Sequence, residues 1–284
     1  MGFRPAARPG HPYLAGAPLL VAHRGGAGLA PENTMGAFRL AVEGYDADML
    51  ELDCRLTRDG QVVVIHDETV DRTTDGSGRV RDMTLQDLQM LDAGYHFTDP
   101  AGHHSFRGRG ARVPLLQELL EALPGIRLNI ECKCDRVAAP LVELIRAHGA
   151  EHRVLIAAEH EANRAAARGY PGPFGASRIQ LRRFYILHRL PFGFLYTPRA
   201  DAIQIPEWWE GRRILTPRLL AEAQRRNIPV HIWTVDEDTD MRRLLAMGVD
   251  AIQTDRPDRL AHVLHEEFGR PLPPALVRRE APPP

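Results

Sequence analysis

This chain of 284 residues is poor in cysteine, having only Cys54, Cys132 and Cys134. Three thiols build no disulfide framework, and a lone Cys-X-Cys lacks the second pair that a zinc site requires. They read as reduced core thiols. Excess charge of one sign is also missing: 36 basic and 37 acidic side chains leave a formal net charge of −1. That balance argues against a nucleic-acid partner, whose polyanionic backbone generally demands a basic face. No apolar run approaches the roughly 18 to 20 residues of a membrane span. Residues 1 to 18 scatter Pro, Gly, Arg and His where an exported chain carries a continuous apolar segment, so a cytoplasmic protein is expected. Aromatics are sparse at 6%, while 44% hydrophobic and 26% charged residues are ordinary values for a globular domain.

Proline is plentiful but unevenly placed. Of 23, ten fall in the two ends: Pro5, Pro9, Pro12 and Pro18, then Pro271, Pro273, Pro274, Pro282, Pro283 and Pro284. This suggests a Pro/Gly-rich N-terminal arm over 1–18, one domain over 19–269 and a Pro-rich tail over 270–284. About 250 residues is the usual length of a single α/β barrel.

Within that domain, short apolar runs alternate with helical stretches, the pattern of a parallel sheet built from βα units. Strands are expected at 19–22, 49–54, 62–66, 127–132, 153–157, 174–176, 202–205, 229–235 and 251–254. Asn33 is placed as the cap of a first helix stopped by Gly44, Pro217 in the first turn of another, and Asp238 as the cap of a third. Runs such as Val62–Ile65 are apolar on both faces, as strands covered by helices outside and side chains inside must be. Some eight such units fit a closed (β/α)8 TIM barrel. Residues 67–112 are too long and polar for an ordinary βα loop and are expected to form a small insertion over one rim. Arg24-Gly25-Gly26-Ala27-Gly28 lacks the spacing of a dinucleotide fingerprint.

The polar residues that end the strands carry the chemistry. The first strand runs into His23-Arg24-Gly25; the second holds Glu51 and Asp53 two residues apart, hence on one side of a period-two strand. The third ends in His66-Asp67, the fourth carries Glu131 and Lys133, and the last two bring Trp233 and Thr254-Asp255-Arg256-Pro257. A barrel gathers such ends on one rim. Three buried carboxylates oppose mutual ionisation unless a cation joins them. Oxygen donors favour a hard divalent ion, Mg²⁺ or Ca²⁺. With that ion, Arg24 and Lys133, the site's formal charge is +1, suited to a singly anionic phosphodiester. Imidazole ordinarily titrates close enough to neutrality that, of His23 and His66, one can take a proton while the other gives one.

Taken in order, His23-Arg24-Gly25 with Pro31-Glu32-Asn33-Thr34, Glu51-X-Asp53, His66-Asp67 with Arg72-Thr73-Thr74 and Gly76-X-Gly78, Glu131-X-Lys133, Trp233-Thr234 and Thr254-Asp255-Arg256-Pro257 resemble the glycerophosphodiester phosphodiesterases. The resemblance covers about 19–260. It implies a TIM barrel that hydrolyses glycerophosphodiesters to sn-glycerol 3-phosphate and an alcohol with a divalent metal. It further implies Glu51, Asp53 and Glu131 as metal ligands, His23 and His66 as the acid/base pair, Arg24 and Lys133 as phosphate contacts, and Trp233 at the substrate mouth. Attack by the substrate's own neighbouring hydroxyl, through a cyclic phosphate, stands open beside direct attack by water. Val70 and Cys132 replace bulkier aliphatics common in the family. Asp67, Arg72 and Thr74 are expected to hold His66 and the insertion in place, Asn33 to be only a helix cap, and Asp255 either to support a histidine or to close a turn. The readings left beside this one are a lysophospholipase D and a catalytically silent phosphate-binding barrel.

Residues 177–199 mix Phe184, Tyr185, Phe192, Phe194 and Tyr196 with Arg178, Arg182, Arg183, Arg189 and Arg199. At helical spacing Arg178, Arg182 and Arg189 share a stripe. The segment reads either as an ordinary barrel helix with a charged outer face or as a peripheral membrane contact.

Overall fold

A computed structural model describes residues 13, 15–190 and 196–280. Most of the N-terminal arm, Phe192, Phe194 and the last three prolines lie outside the described residues. The strands are β1 (Leu19–Ala22), β2 (Met49–Leu56), β3 (Val62–Val64), β4 (Arg127–Cys132), β5 (Val154–Ala157), β6 (Ile203–Ile205), β7 (Trp208–Trp209), β8 (Arg212–Arg213), β9 (Val230–Ile232) and β10 (Ala251–Thr254). The helices are α1 (Met35–Arg39), α2 (Leu85–Gln89), α3 (Leu116–Ala122), α4 (Ala138–Ala147), α5 (Arg178–Leu187), α6 (Pro217–Gln224), α7 (Asp238–Ala246), α8 (Pro257–Phe268) and α9 (Pro274–Glu280). The last of these turns part of the expected tail into a helix whose Leu276 packs on the core.

Parallel ladders run β5-β4-β2-β1-β10-β9-β6. Two single bridges, Ile156 to Phe174 and Gly175 to Ala202, close the ring, so the expected strand at 174–176 is an eighth stave reduced to two residues. The barrel interior begins with a plug of Tyr13, Leu19, Val21, Met49, Leu155, Ala202 and Ala251. The alternate residues Leu50, Leu52, Ile130 and Ile252 face outward into the main core beneath the helices, as period-two alternation requires. Each such fully buried side chain contributes roughly 1.5–3 kcal/mol.

One expected barrel strand has a different role. The stretch at Val62 is antiparallel to β2, with Cys54 opposite Val64 and Leu56 opposite Val62, so it belongs to a hairpin and not to the parallel ring. It is apolar on both faces because Val63 and Ile65 pack on Val70, Val80 and Leu88 of the insertion and on Val113 just past it, a small core of their own. The first helix is capped by Thr34, whose hydroxyl accepts from the Ala37 amide, and not by Asn33, which sits at φ +57°. Likewise Asp238 lies inside α7, behind an N-cap at Glu237. The Pro217 helix starts as expected, behind a Thr216 cap.

Candidate active site

The parallel ladder places Asp53 of β2 directly beside Glu131 of β4, and Glu51 stands two residues deeper on the same inward face. Carboxylate oxygens of Glu51, Asp53 and Glu131 lie within 4.8 Å of one another. Lys133 Nζ donates to Glu131 at 2.8 Å and pairs with Asp53 at 3.1 Å. Arg24 approaches Asp53 through Nε at 3.4 Å, while its backbone amide donates to Glu51 Oε2 at 3.0 Å.

Their protonation differs sharply. Glu51 is pushed up to about 7 by burial and by the Asp53 carboxylate, against the pull of His23 and Lys133. Burial pushes Asp53 up too, but Lys133, His66 and Arg24, with a hydrogen bond from Asn33, outweigh it and hold Asp53 below its ordinary value. Burial opposes the charge on Lys133, and Asp53 and Glu131 more than offset it. Two carboxylates thus have cationic side chains within pairing distance, whereas among the described residues Glu51 has only the imidazole of His23, at 3.9 Å. This donor set fits a hard dication, which would supply the charge that Glu51 lacks.

Both histidines are held by aspartates. His23 Nδ1 is 2.7 Å from Asp255 Oδ1, and His66 Nδ1 is 2.6 Å from Asp67 Oδ1. A proton shared at Nδ1 leaves Nε2 free to act on a substrate. Burial lowers the His23 pKa, but the Asp255 hydrogen bond and the Glu51 charge win and leave it raised. The first and last strand ends meet closely to make this pair: Gly28 N–H donates to the Asp255 carbonyl at 2.9 Å. A Cβ at Gly28 would come within 2.9 Å of that oxygen, and one at Gly26 within 2.8 Å of Pro257. On the other flank Asp67 accepts from Arg72, whose guanidinium also binds Glu32, which in turn accepts from Arg24. The insertion is thereby tied to the β1 loop. Thr74 serves the insertion alone, bonding Val70 O and the Gly76 amide. Trp233, half-buried, follows β9 on the same rim.

The model of the glycerophosphoryl diester phosphodiesterase family matches residues 23–168 and 187–259. The chain belongs to this family. A glycerophosphodiester phosphodiesterase from Caldanaerobacter subterraneus subsp. tengcongensis is 34% identical over 266 residues, covering 87% of this chain and 98% of the relative. A lysophospholipase D from Homo sapiens is 30% identical over 274 residues, covering 86% and 85%. Among solved structures, a glycerophosphodiester phosphodiesterase from Agrobacterium tumefaciens superposes with a TM-score of 0.70 at 30% identity, covering 86% of this chain and 99% of that one. The fold is accordingly the (β/α)8 barrel of glycerophosphodiester phosphodiesterases, and the chain is an enzyme of that class.

Sequence reasoning undervalued Asn33. Its left-handed backbone turns the side chain into the site, where Nδ2 donates to Asp53 Oδ2 at 3.0 Å. Asparagine tolerates φ > 0 better than most residues, and Asn beside a capping Thr was the available signal. Glu32, whose role the sequence left ambiguous, is the joint between Arg24 and Arg72.

Proposed function

We propose that the chain hydrolyses glycerophosphodiesters such as glycerophosphocholine to sn-glycerol 3-phosphate and an alcohol, in a cytoplasmic setting that suits its buried, unpaired thiols Cys54 and Cys132. The observation that carries this reading is three clustered carboxylates beside two imidazoles, each bound through Nδ1 to its own aspartate. Glu51, Asp53 and Glu131 would hold Mg²⁺ or Ca²⁺, which when bound neutralises phosphate charge and favours attack at phosphorus. Arg24 and Lys133 orient the phosphate oxygens and balance the charge that develops there. Of His23 and His66, one accepts at Nε2 the proton of the attacking oxygen, either water directly or the substrate's neighbouring hydroxyl followed by water opening the cyclic phosphate, while the other protonates the departing alkoxide. Trp233 bounds the mouth.

The test is release of glycerol 3-phosphate from glycerophosphocholine, with and without chelator. Metal-dependent release supports the proposal; no release from a panel of glycerophosphodiesters with either cation overturns it. His23→Ala and His66→Ala each abolish turnover while calorimetry still detects metal binding. A lysophospholipase D reading of the same site draws support from exposed aromatics, Trp208 and Trp209, in the segment that follows β6. Faster turnover of lysophosphatidylcholine than of glycerophosphocholine would favour it.

A further inference from the structure

The family match skips residues 169–186, which include most of α5. This helix begins with a capping box at Ser177 and buries Phe184 against the barrel. Its opposite side is unusual for a barrel helix. Ile179 and Ile186 are 47% and 49% exposed, and Leu190, one turn further on, is 49% exposed. At 100° per residue Ile179 and Ile186 fall within one narrow strip, and Leu190 lies in the turn just beyond the helix. Arg182 borders it on one side and Arg183 on the other, with Arg189 in the turn that follows, all exposed.

Beside α5 stands the β7–β8 hairpin, Trp208-Trp209-Glu210-Gly211-Arg212-Arg213, whose two turn residues have φ of +48° and +73°. That turn type matches the strand twist. Trp208 and Trp209 are 57% and 43% exposed. The two elements form one face: the Arg178 guanidinium lies 5.7 Å from the centre of a Trp209 ring, and Tyr185 Oη donates to the Arg213 carbonyl at 3.4 Å. The hairpin follows the C-terminal end of β6 immediately, so it stands on the rim that carries the acidic site.

Five of the large hydrophobic side chains exposed among the described residues come from this face. Its charge is one-sided: Arg178, Arg182 and Arg183 of α5, Arg189 just past it, and Arg212 and Arg213 of the hairpin stand against Glu159, Glu207 and Glu210 nearby, in a chain whose overall charge is −1. Indoles and isoleucines bordered by arginines match the boundary of an anionic bilayer. Indole rings settle there at headgroup depth, apolar side chains enter the acyl region, and guanidinium groups stay with the phosphates.

We infer that α5 and the Trp208–Trp209 hairpin form a docking face for an anionic membrane surface, holding the active-site rim toward the lipid. The inference is independent of which phosphodiester the site cleaves, because binding is measured without turnover. The experiment is co-sedimentation with phosphatidylcholine vesicles prepared with and without phosphatidylglycerol. It is joined to quenching of tryptophan emission by brominated lipid, a direct probe because two of the three tryptophans are on the hairpin. The wild-type chain pellets with the anionic vesicles, and its emission is quenched. Trp208→Ser with Trp209→Ser lowers partitioning by about tenfold or more. Arg182→Glu with Arg183→Glu removes the preference for anionic lipid, each arginine near the surface being worth several-fold. Unchanged thermal midpoints in both variants show that folding is intact. Wild-type pelleting no greater than background, or equal partitioning of wild type and the tryptophan variant, overturns the inference.

Discussion

Consider the enzyme stripped of metal by a chelator. An ordinary glutamate titrates at 4.5, whereas buried Glu51 keeps its proton up to about 7. Between those values the folded state holds a proton that the unfolded chain has released. The contribution of this group to stability is therefore fully present below pH 4.5 and is lost as pH rises through 7. At about 1.4 kcal/mol per pH unit, the loss is on the order of 3 kcal/mol by pH 8, equivalent to roughly 5–10 °C in Tm. His23, whose pKa is also raised, adds to the decline in the same direction. Glu51→Gln preserves shape and removes the charge. In chelator at pH 8 the variant should be more stable than wild type, and near pH 5 the two should agree. Added Mg²⁺ or Ca²⁺ should raise the wild-type midpoint and leave the variant nearly unmoved. Scanning calorimetry from pH 5 to 8 measures all of this. A variant less stable than wild type at pH 8 without metal would refute the reasoning, because Glu51 would then have its charge satisfied by the protein alone.

Asp255→Asn keeps a group beside His23 but removes the charge that raises its pKa; turnover should fall about 10- to 100-fold, and the limb of the pH–rate profile that belongs to His23 should move to lower pH. An unmoved profile would reduce Asp255 to a turn residue. Asn33→Ala deletes the amide bond to Asp53 and places alanine at φ +57°; metal affinity by calorimetry should weaken about tenfold, with a loss of about 1–2 kcal/mol in unfolding free energy. Unaltered metal affinity would return Asn33 to a purely local role in the turn.

The ring of parallel strands was legible because each run, such as Leu19–Ala22 or Arg127–Cys132, is short, apolar and ends in polar residues. The direction of the Val62 strand was not, since periodicity reports burial on both faces without saying what provides it. Here the insertion provides it, through Val80 and Leu88. Glu51, Asp53 and Glu131 were readable together because spacing of two puts strand residues on one side. Asp255 stands between two readings in the sequence, because its partner lies 232 residues away across the pairing of the first and last strands, and Asn33 reads there only as a cap, because nothing in the letters shows its side chain turning toward Asp53. The hairpin at Trp208 was not legible because Glu210 takes the left-handed turn position that Asn, Asp or Gly ordinarily fills.

The stave at Phe174–Gly175, joined to each neighbour by one bridge, makes the cylinder's wall uneven in strength. The Phe174, Gly175 and Ala176 amides are bonded, to Asp201, Ile156 and Ala202, but the pairing on either side extends no further, so this short stretch should open and take up deuterium ahead of the longer β2 and β4 pairing. Counting round the circle, β2 stands three strands away. When the wall breathes it therefore parts on the side from which α5 hangs, and the acidic cluster stays in the firm half.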